Sequence, residues 1–267
     1  MLKYTLVNCI LSILALKYIN FYYIFDTCLT EKHHRDNIFH MRMRMKKHLE
    51  ERLASVTPDY LLLTDKMDSN PQVVCEQKLY IDLPKFYGNS NDLMLEIGCG
   101  RGGFAVKYGL ANLQQNVLAV ERSANVIIEA CELAQRTKLA NVKFINTGAQ
   151  YLLRYLRPHS VSSIYMNFPN PYFKRTYFNN RLTNARFLPM YQNLLVAGGS
   201  FYLKTDNVDL FNFSLEQFSA YNCTICALTR DLAKSTIPNL TTEYEDKFTS
   251  MNLPINYVEV KFPQIND

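Results

Sequence analysis

Glycines at 98, 100 and 103 follow a carboxylate, Glu96, in the run Leu95-Glu-Ile-Gly-Cys-Gly-Arg-Gly-Gly-Phe104. Glycines so spaced permit a tight turn that lets a ligand approach the backbone, with a helix opening beside it. About twenty residues further on stands Glu121, where a carboxylate can take both hydroxyls of a ribose. Up to this point a dinucleotide would be served as well as any other adenosine-bearing ligand. Glu96 separates the cases. A pyrophosphate wants backbone amides at that place and is repelled by an acid, whereas a sulfonium with an amino-acid ammonium is favoured by one. The pattern points to S-adenosyl-L-methionine over NAD, with Glu96, Gly98, Gly100 and Glu121 as cofactor residues.

Such residues need elements that bring strand ends together. Apolar runs at Leu93–Ile97, Val117–Val120, Val142–Ile145, Ser163–Asn167 and Phe201–Lys204 predict strands. Amphipathic stretches at Gly103–Asn112, Asn125–Thr137, Gln150–Leu156 and Asn184–Leu195 predict the helices between them. Alternation of this kind implies right-handed crossovers and an α/β, Rossmann-like fold: a mostly parallel sheet with helices on both faces, ligands binding at the carboxyl ends of the strands. Gly198-Gly199 marks the turn into the fifth strand, and Phe211, Phe213 and Phe218 read as core positions of an amphipathic helix.

Composition sets the outer bounds. The 267 residues are long enough for one sizeable core and carry a net charge of +5, which permits a basic face for RNA without demanding one. Seven cysteines, odd in number and scattered, read as reduced intracellular thiols. Cys223 and Cys226 form a lone CxxC that the five histidines do not complete, and the adjacent His33 and His34 read as exposed loop, so no metal is expected. Residues 1–40 form an apolar segment in which Lys17, Asn8 and Asn20 spoil a membrane span. That segment reads as translated upstream sequence ahead of a start at Met41, in preference to a weak signal or anchor; its aromatics Tyr18, Phe21, Tyr22, Tyr23 and Phe25 are not a cofactor stripe. Residues 41–90 read as a basic arm and lead-in, with Arg42, Arg44, Lys46, Lys47 and Arg52 against Glu50 and Glu51; such an arm can track a phosphate backbone or form a solvated face. Residues 91–267 read as the catalytic domain, in the cytoplasm and without membrane association.

Further along, the blocks become specific. Asn167-Phe-Pro-Asn-Pro-Tyr172, Lys174-Arg175, Arg181-Leu-Thr183, Lys204-Thr-Asp-Asn207, Leu210-Phe211, Asp231-Leu232 and Thr242-Glu-Tyr-Glu-Asp-Lys-Phe248 occur in one order, after Met41-Arg-Met-Arg44 and the glycine loop. Over roughly residues 41–260 this ordered set closely resembles the bacterial tRNA (guanine-N7-)-methyltransferases. The resemblance implies a class I fold using S-adenosyl-L-methionine and methylation of guanine 46 in the variable loop of tRNA. It implies cofactor roles for Glu96 and Glu121, extended along the rim to Asn146, Gly148 and Asn170. It implies substrate binding by Lys174, Asp206, Thr242, Glu243, Tyr244 and Glu245, with Asn170 and Asp206 at the catalytic positions. Three departures stand out: Gly148 replaces an acid, Asn170-Pro171-Tyr172 replaces Asp-Pro-Trp, and Thr176-Tyr177 replaces Arg-His.

Guanine N7 carries a lone pair and no proton, so methylation there needs alignment more than a base. A carboxylate near the purine stabilises the charge it gains, and Asp206 and Glu243 can serve; Asn170 offers only an amide oxygen. Loss of one acid from a water-poor site costs about 2–4 kcal/mol in the barrier, which predicts a slower enzyme. Three other readings stand beside this one. Asn170-Pro171-Tyr172 also resembles the loop of methyltransferases acting on exocyclic amino groups. Gly148 and Asn170 suit a tRNA-binding homologue with impaired catalysis. The glycine loop alone would suit a nucleotide-dependent dehydrogenase.

Overall fold

The protein, seen in a computed structural model, is described over residues 45–64 and 70–264. The chain divides between Met45 and Lys46 into two units, and the second holds all the elements that follow. The apolar segment 1–40 and Met41-Arg-Met-Arg44 lie outside the described residues.

In chain order the strands are β1 (Leu61–Leu63), β2 (Leu93–Ile97), β3 (Asn116–Val120), β4 (Val142–Asn146), β5 (Val161–Asn167), β6 (Leu195–Thr205), β7 (Thr224–Thr229) and β8 (Asn256–Lys261). They form one eight-stranded sheet ordered β1-β4-β3-β2-β5-β6-β8-β7. Neighbours from β1 to β6 run parallel, and β8 is antiparallel to both β6 and β7. The order reverses between β2 and β5, the place where ligands enter open sheets of this type. Glu96 of β2 is paired there with Tyr165 of β5.

The described helices are α1 (Leu49–Val56), α2 (Pro71–Glu76), α3 (Leu83–Tyr87), α4 (Gly103–Ala111), α5 (Ala124–Thr137), α6 (Leu152–Tyr155), α7 (Leu188–Leu194), α8 (Val208–Ala220) and α9 (Glu243–Ser250). Side chains alternate across a strand, so β2 feeds two cores. Leu93, Leu95 and Ile97 join Tyr87, Leu152, Tyr191, Leu194, Phe211 and Phe218 from α3, α6, α7 and α8. Met94 joins Leu49, Phe104, Ile127, Cys131 and Ala134 from α1, α4 and α5 on the other face. Every residue of β2 and of β3 is buried, as strands covered by helices on both sides must be. Phe211 and Phe218 are core, as their spacing implies, but Phe213 is only half-buried and packs edge-on against Phe178 outside the core.

Several bounds differ from those expected, for local reasons. The stretch Arg181–Phe187 is taken up by turns, so α7 begins only at Leu188, with Pro189 in its first turn. The segment predicted as one helix over 150–156 is a 3₁₀ turn, Ala149–Tyr151, followed by the short α6. Gly198-Gly199 lies inside β6: Leu195 pairs with Val161 and Ser200 with Ser163, and the excess residues loop out through Gly198 at φ 77°.

The lead-in is joined to the same sheet. β1 pairs with β4, and Leu49 and Val56 of α1 enter the core beside α5. Lys46 is ion-paired with Glu129, and Arg52 binds Glu132 through Nε and Nη2 at 2.7 and 2.8 Å. These two cations therefore clamp α1 onto α5 instead of forming a solvated face; Lys47 stays exposed.

The start of α4 is fixed by a close approach. Gly102 has φ 78°, and a Cβ there would lie 2.5 Å from the Cβ of Ala130 in α5. Gly102→Ala is expected to destabilise the protein by about 2 kcal/mol or more, through left-handed strain and overpacking together. A urea unfolding midpoint that stays at the parent value would show that α5 yields freely.

Candidate active site

The carboxyl ends of β2 to β6 converge around Glu96, which is 2 % exposed. One of its oxygens accepts a hydrogen bond from Asn167 Nδ2 at 3.1 Å, while Oε2 is buried with no hydrogen-bond partner. Burial pushes this carboxyl up to about 7, opposed by Asn167, the Lys204 ammonium and the Ala105 amide in the first turn of α4. At neutral pH Glu96 therefore exchanges readily between its charged and neutral forms.

The glycine loop folds over the end of β3, with the Gly98 and Cys99 amides donating to the Val120 carbonyl at 2.8 and 3.0 Å. Gly98 and Gly100 have φ of 79° and 56°, and a Cβ on either would meet nothing within 4 Å, so both present an open face. Gly103, counted as the third glycine of the pattern, needs no left-handed backbone; that role belongs to Gly102. A Cβ at 103 would lie 3.0 Å from Glu243 Oε1 of α9, close enough that the exposed Glu243 side chain would have to shift slightly.

Glu121 lies just past β3, its Oε1 accepting from the Ser123 amide at 2.9 Å. Burial raises its pKa, against the backbone amides of Ser123, Gly100 and Arg122. Asn146 at the end of β4 donates to the Glu121 carbonyl at 2.8 Å and so fixes the turn carrying that acid. Gly148 has an ordinary backbone, and a Cβ there would meet the Gln150 carboxamide at 2.6 Å. Gln150 thus brings an amide to the place where an acid at 148 would project. Reading the sequence missed it, although a polar residue two positions past the missing acid was the available signal.

Beyond β5 the segment 167–172 is held in a strained form, with Phe168 at φ 51° and Tyr172 at φ 44°. Three bonds hold it. The Phe168 amide donates to the Lys204 carbonyl at 2.8 Å, the Tyr172 amide to Asn170 Oδ1 at 3.0 Å, and Arg181 Nε to the Pro171 carbonyl at 2.7 Å. The oxygen of Asn170 is thus engaged within its own loop. Arg181, 2 % exposed, lies 3.6 Å over the Phe178 ring, and Thr183 shares a buried hydroxyl bond with Ser214. Lys174 and Arg175 follow on an exposed 3₁₀ turn.

Asp206 is half-buried between the end of β6 and α8, whose first turn is capped by Asn207 through the Leu210 amide at 2.7 Å. The 242–245 block splits in two. Thr242 and Glu245 are buried and form a capping box on α9, with the Glu245 amide donating to Thr242 Oγ1 at 2.9 Å. Glu243 and Tyr244 face outward; Tyr244 packs on Phe168 and Phe248 with ring centroids 4.7 and 4.5 Å away. Glu245 also binds the buried Lys204 ammonium at 3.0 Å.

The arrangement fits an adenosine ligand carrying positive charge. It offers a buried acid with an unsatisfied oxygen, open glycine faces beside it, and a second acid one strand away. A cavity of about 260 Å³ lined by Asn89, Asp92, Asn116 and His159 lies at the opposite, amino end of β2 and is unconnected with these residues. Among the described residues there is no cluster of three or more metal-ligating side chains, and no helix is long and apolar enough to cross a membrane.

Residues 90–257 match a family model described as "Putative methyltransferase". A tRNA (guanine-N(7)-)-methyltransferase of Brevibacillus brevis is 36% identical over 194 residues, spanning 69% of this chain and 91% of that protein. One from Bacillus subtilis is 34% identical over 177 residues, spanning 66% of this chain and 83% of the relative. Among solved structures, the 16S rRNA methyltransferase KamB shares the fold at TM-score 0.50 and 14% identity, over 75% of this chain and 96% of that one.

Thr242→Val removes the cap of α9 and should lower stability by about 1 kcal/mol. Hydrogen exchange should then speed up at the amides of the first turn of α9, Glu243 to Asp246, and unchanged exchange there would show that the Lys204–Glu245 pair suffices to hold the helix.

Proposed function

The chain belongs to the tRNA (guanine-N(7)-)-methyltransferase family, and on that premise we propose that it transfers the methyl of S-adenosyl-L-methionine to N7 of guanine 46 in the tRNA variable loop. What supports this reading is the nearness of Glu243 to the glycine loop, where a Cβ on Gly103 would lie 3.0 Å from Glu243 Oε1, so that an acid suited to a purine stands beside the loop suited to the cofactor. When bound, the cofactor supplies a methyl group activated by its sulfonium. Glu96 faces that positive charge, Glu121 takes the ribose hydroxyls, and Gly98 and Gly100 keep the approach open. Asn146, Gly148 and Asn170 complete the rim.

The N7 lone pair attacks without losing a proton, so no residue need act as general base. The acids Asp206 and Glu243 accept from the guanine N1–H and amino group and oppose the positive charge that accumulates on the purine. Tyr244, packed on Phe168, offers a flat edge for the base. Lys174 and Arg175, exposed beside the loop, meet backbone phosphates. Thr242 and Glu245 act through the position of α9. The reaction belongs to the cytoplasm, where its substrate is, with residues 41–90 as lead-in and 91–267 as the methyltransferase domain.

Asn170 gives the amino-directed reading less support than its motif suggests, since one lone pair of its oxygen is already taken by the Tyr172 amide. Its lack of charge keeps the impaired homologue as the second reading. Incubation with tritiated S-adenosyl-L-methionine and bulk tRNA decides the matter. Label recovered as 7-methylguanosine is expected; label in an amino-methylated base, or tight tRNA binding with no label, overturns the proposal. Asn170→Asp keeps an acceptor for the Tyr172 amide while restoring charge, and is expected to raise kcat by about tenfold or more. Single-turnover rates of the two proteins check this.

A further inference from the structure

Lys204, near the end of β6, is 3 % exposed, and an ammonium so buried needs partners. It finds them on α9 and the loop leading into it. Nζ donates to Glu245 Oε2 at 3.0 Å, to the Leu240 carbonyl at 2.8 Å and to Asn239 Oδ1. Glu245 in turn accepts from the Asn239 amide and from the Thr242 amide, so the whole approach to α9 is organised by this cation. The backbone of the same residue does a second job, its carbonyl accepting the Phe168 amide at 2.8 Å. Lys204 thereby holds both segments that flank the proposed purine site, the 167–172 loop and the start of α9. Its charge also acts on Glu96, and Glu96 on it.

We propose that Lys204 is a positioning residue, whose single buried ammonium is shared between the helix presenting Glu243 and Tyr244 and the cofactor acid Glu96, so that donor and purine are held in one register. The assignment rests on the function proposed above for the cofactor role of Glu96 and for the identity of the purine. Two carboxylates compete for one cation here. Glu245 has it by direct contact, and Glu96 is bonded to Asn167, the register partner of Lys204 across β5 and β6, so a change at either end is felt at the other.

The other charged or titratable groups around Glu96 do not replace it. Lys107 of α4 binds the Thr241 carbonyl and hydroxyl at 2.9 and 3.0 Å and pairs with Asp246. Cys99 in the glycine loop is pushed well above the usual thiol range by burial and by Glu96 and Glu121, and stays neutral. Glu121 beyond β3 has its own backbone donors, and Asn167 of β5 carries no charge. Lys204 is the cation that keeps Glu96 from being protonated more readily still.

The test is calorimetric titration of S-adenosyl-L-methionine from pH 6 to 9 on the parent, Lys204→Met and Glu245→Gln, with KM for tRNA measured alongside. A cationic ligand favours ionised Glu96, so affinity falls as the pH drops through the pKa of that acid. Lys204→Met should raise the midpoint of that fall by about one pH unit, and raise the tRNA KM about tenfold. Glu245→Gln should move the midpoint the other way, because the ammonium is released toward Glu96, and should also raise the tRNA KM. A brace with no electrical role would raise KM in both variants and move neither midpoint, and that result overturns the proposal. So does a parent-like KM in both. If Lys204→Met does not fold, the downward shift in Glu245→Gln alone decides. Opposite midpoint shifts in a protein that labels no guanine N7 would uphold Lys204 and defeat the proposed function separately.

Discussion

A carboxylate held away from water, with one oxygen engaged and the other not, governs the carboxyl end of this sheet. Burying an acid is unfavourable unless charge or hydrogen bonds answer it, and each answer to Glu96 comes from a different element. Asn167 arrives on β5, Lys204 on β6 and the Ala105 amide on α4. Those three must therefore meet at the end of β2, which requires that β2 be central, with β3 on one side and β5 on the other. The reversal of strand order and the helix beside the glycine loop meet that requirement. What they leave unanswered on Glu96 is suited to a cation arriving from outside.

The middle of the sheet was legible because buried parallel strands are written as mostly apolar runs, and β2 to β5 came out at their places to within a residue or two. The rest of the sheet was not. β1 is only Leu61–Leu63, β7 is a mostly exposed edge whose Ile225 and Leu228 face solvent, and β8 pairs antiparallel with its neighbours, outside the alternating strand–helix pattern. Glu96 and Glu121 could be found because their meaning depends on neighbours in sequence. Lys204 could be noticed only as part of a resemblance, since its partners lie 35, 36 and 41 residues away. Arg181 presents the same difficulty: a lone arginine in sequence gives no sign that it will be buried against Pro171 and two phenylalanine rings.

Charge was the least reliable guide. A run of basic residues suggests an open electrostatic surface, yet Lys46 and Arg52 are bound to acids of α5, whose pKa values are drawn down by the contact. Glu129 takes Arg101 of the glycine loop as well, at 3.0 Å, so the lead-in and that loop rest on one side chain. A count of lysines and arginines registers none of this, because the matching acids lie on a helix some eighty positions on.

Phe168 and Tyr172 have a wider meaning. Side chains with a Cβ seldom adopt their backbone angles, and each imposes a standing penalty of about 1 kcal/mol or more on the folded chain. That penalty is met during folding, by the bonds from Lys204, Asn170 and Arg181 that keep the bracket bent. A guest entering the bracket does not have to bend it. Under the proposed reading, the free energy of docking a nucleotide is then not drained by ordering the jaw that receives it, and a shortfall in reactive charge at Asn170 is set against a mouth already shaped for the bite.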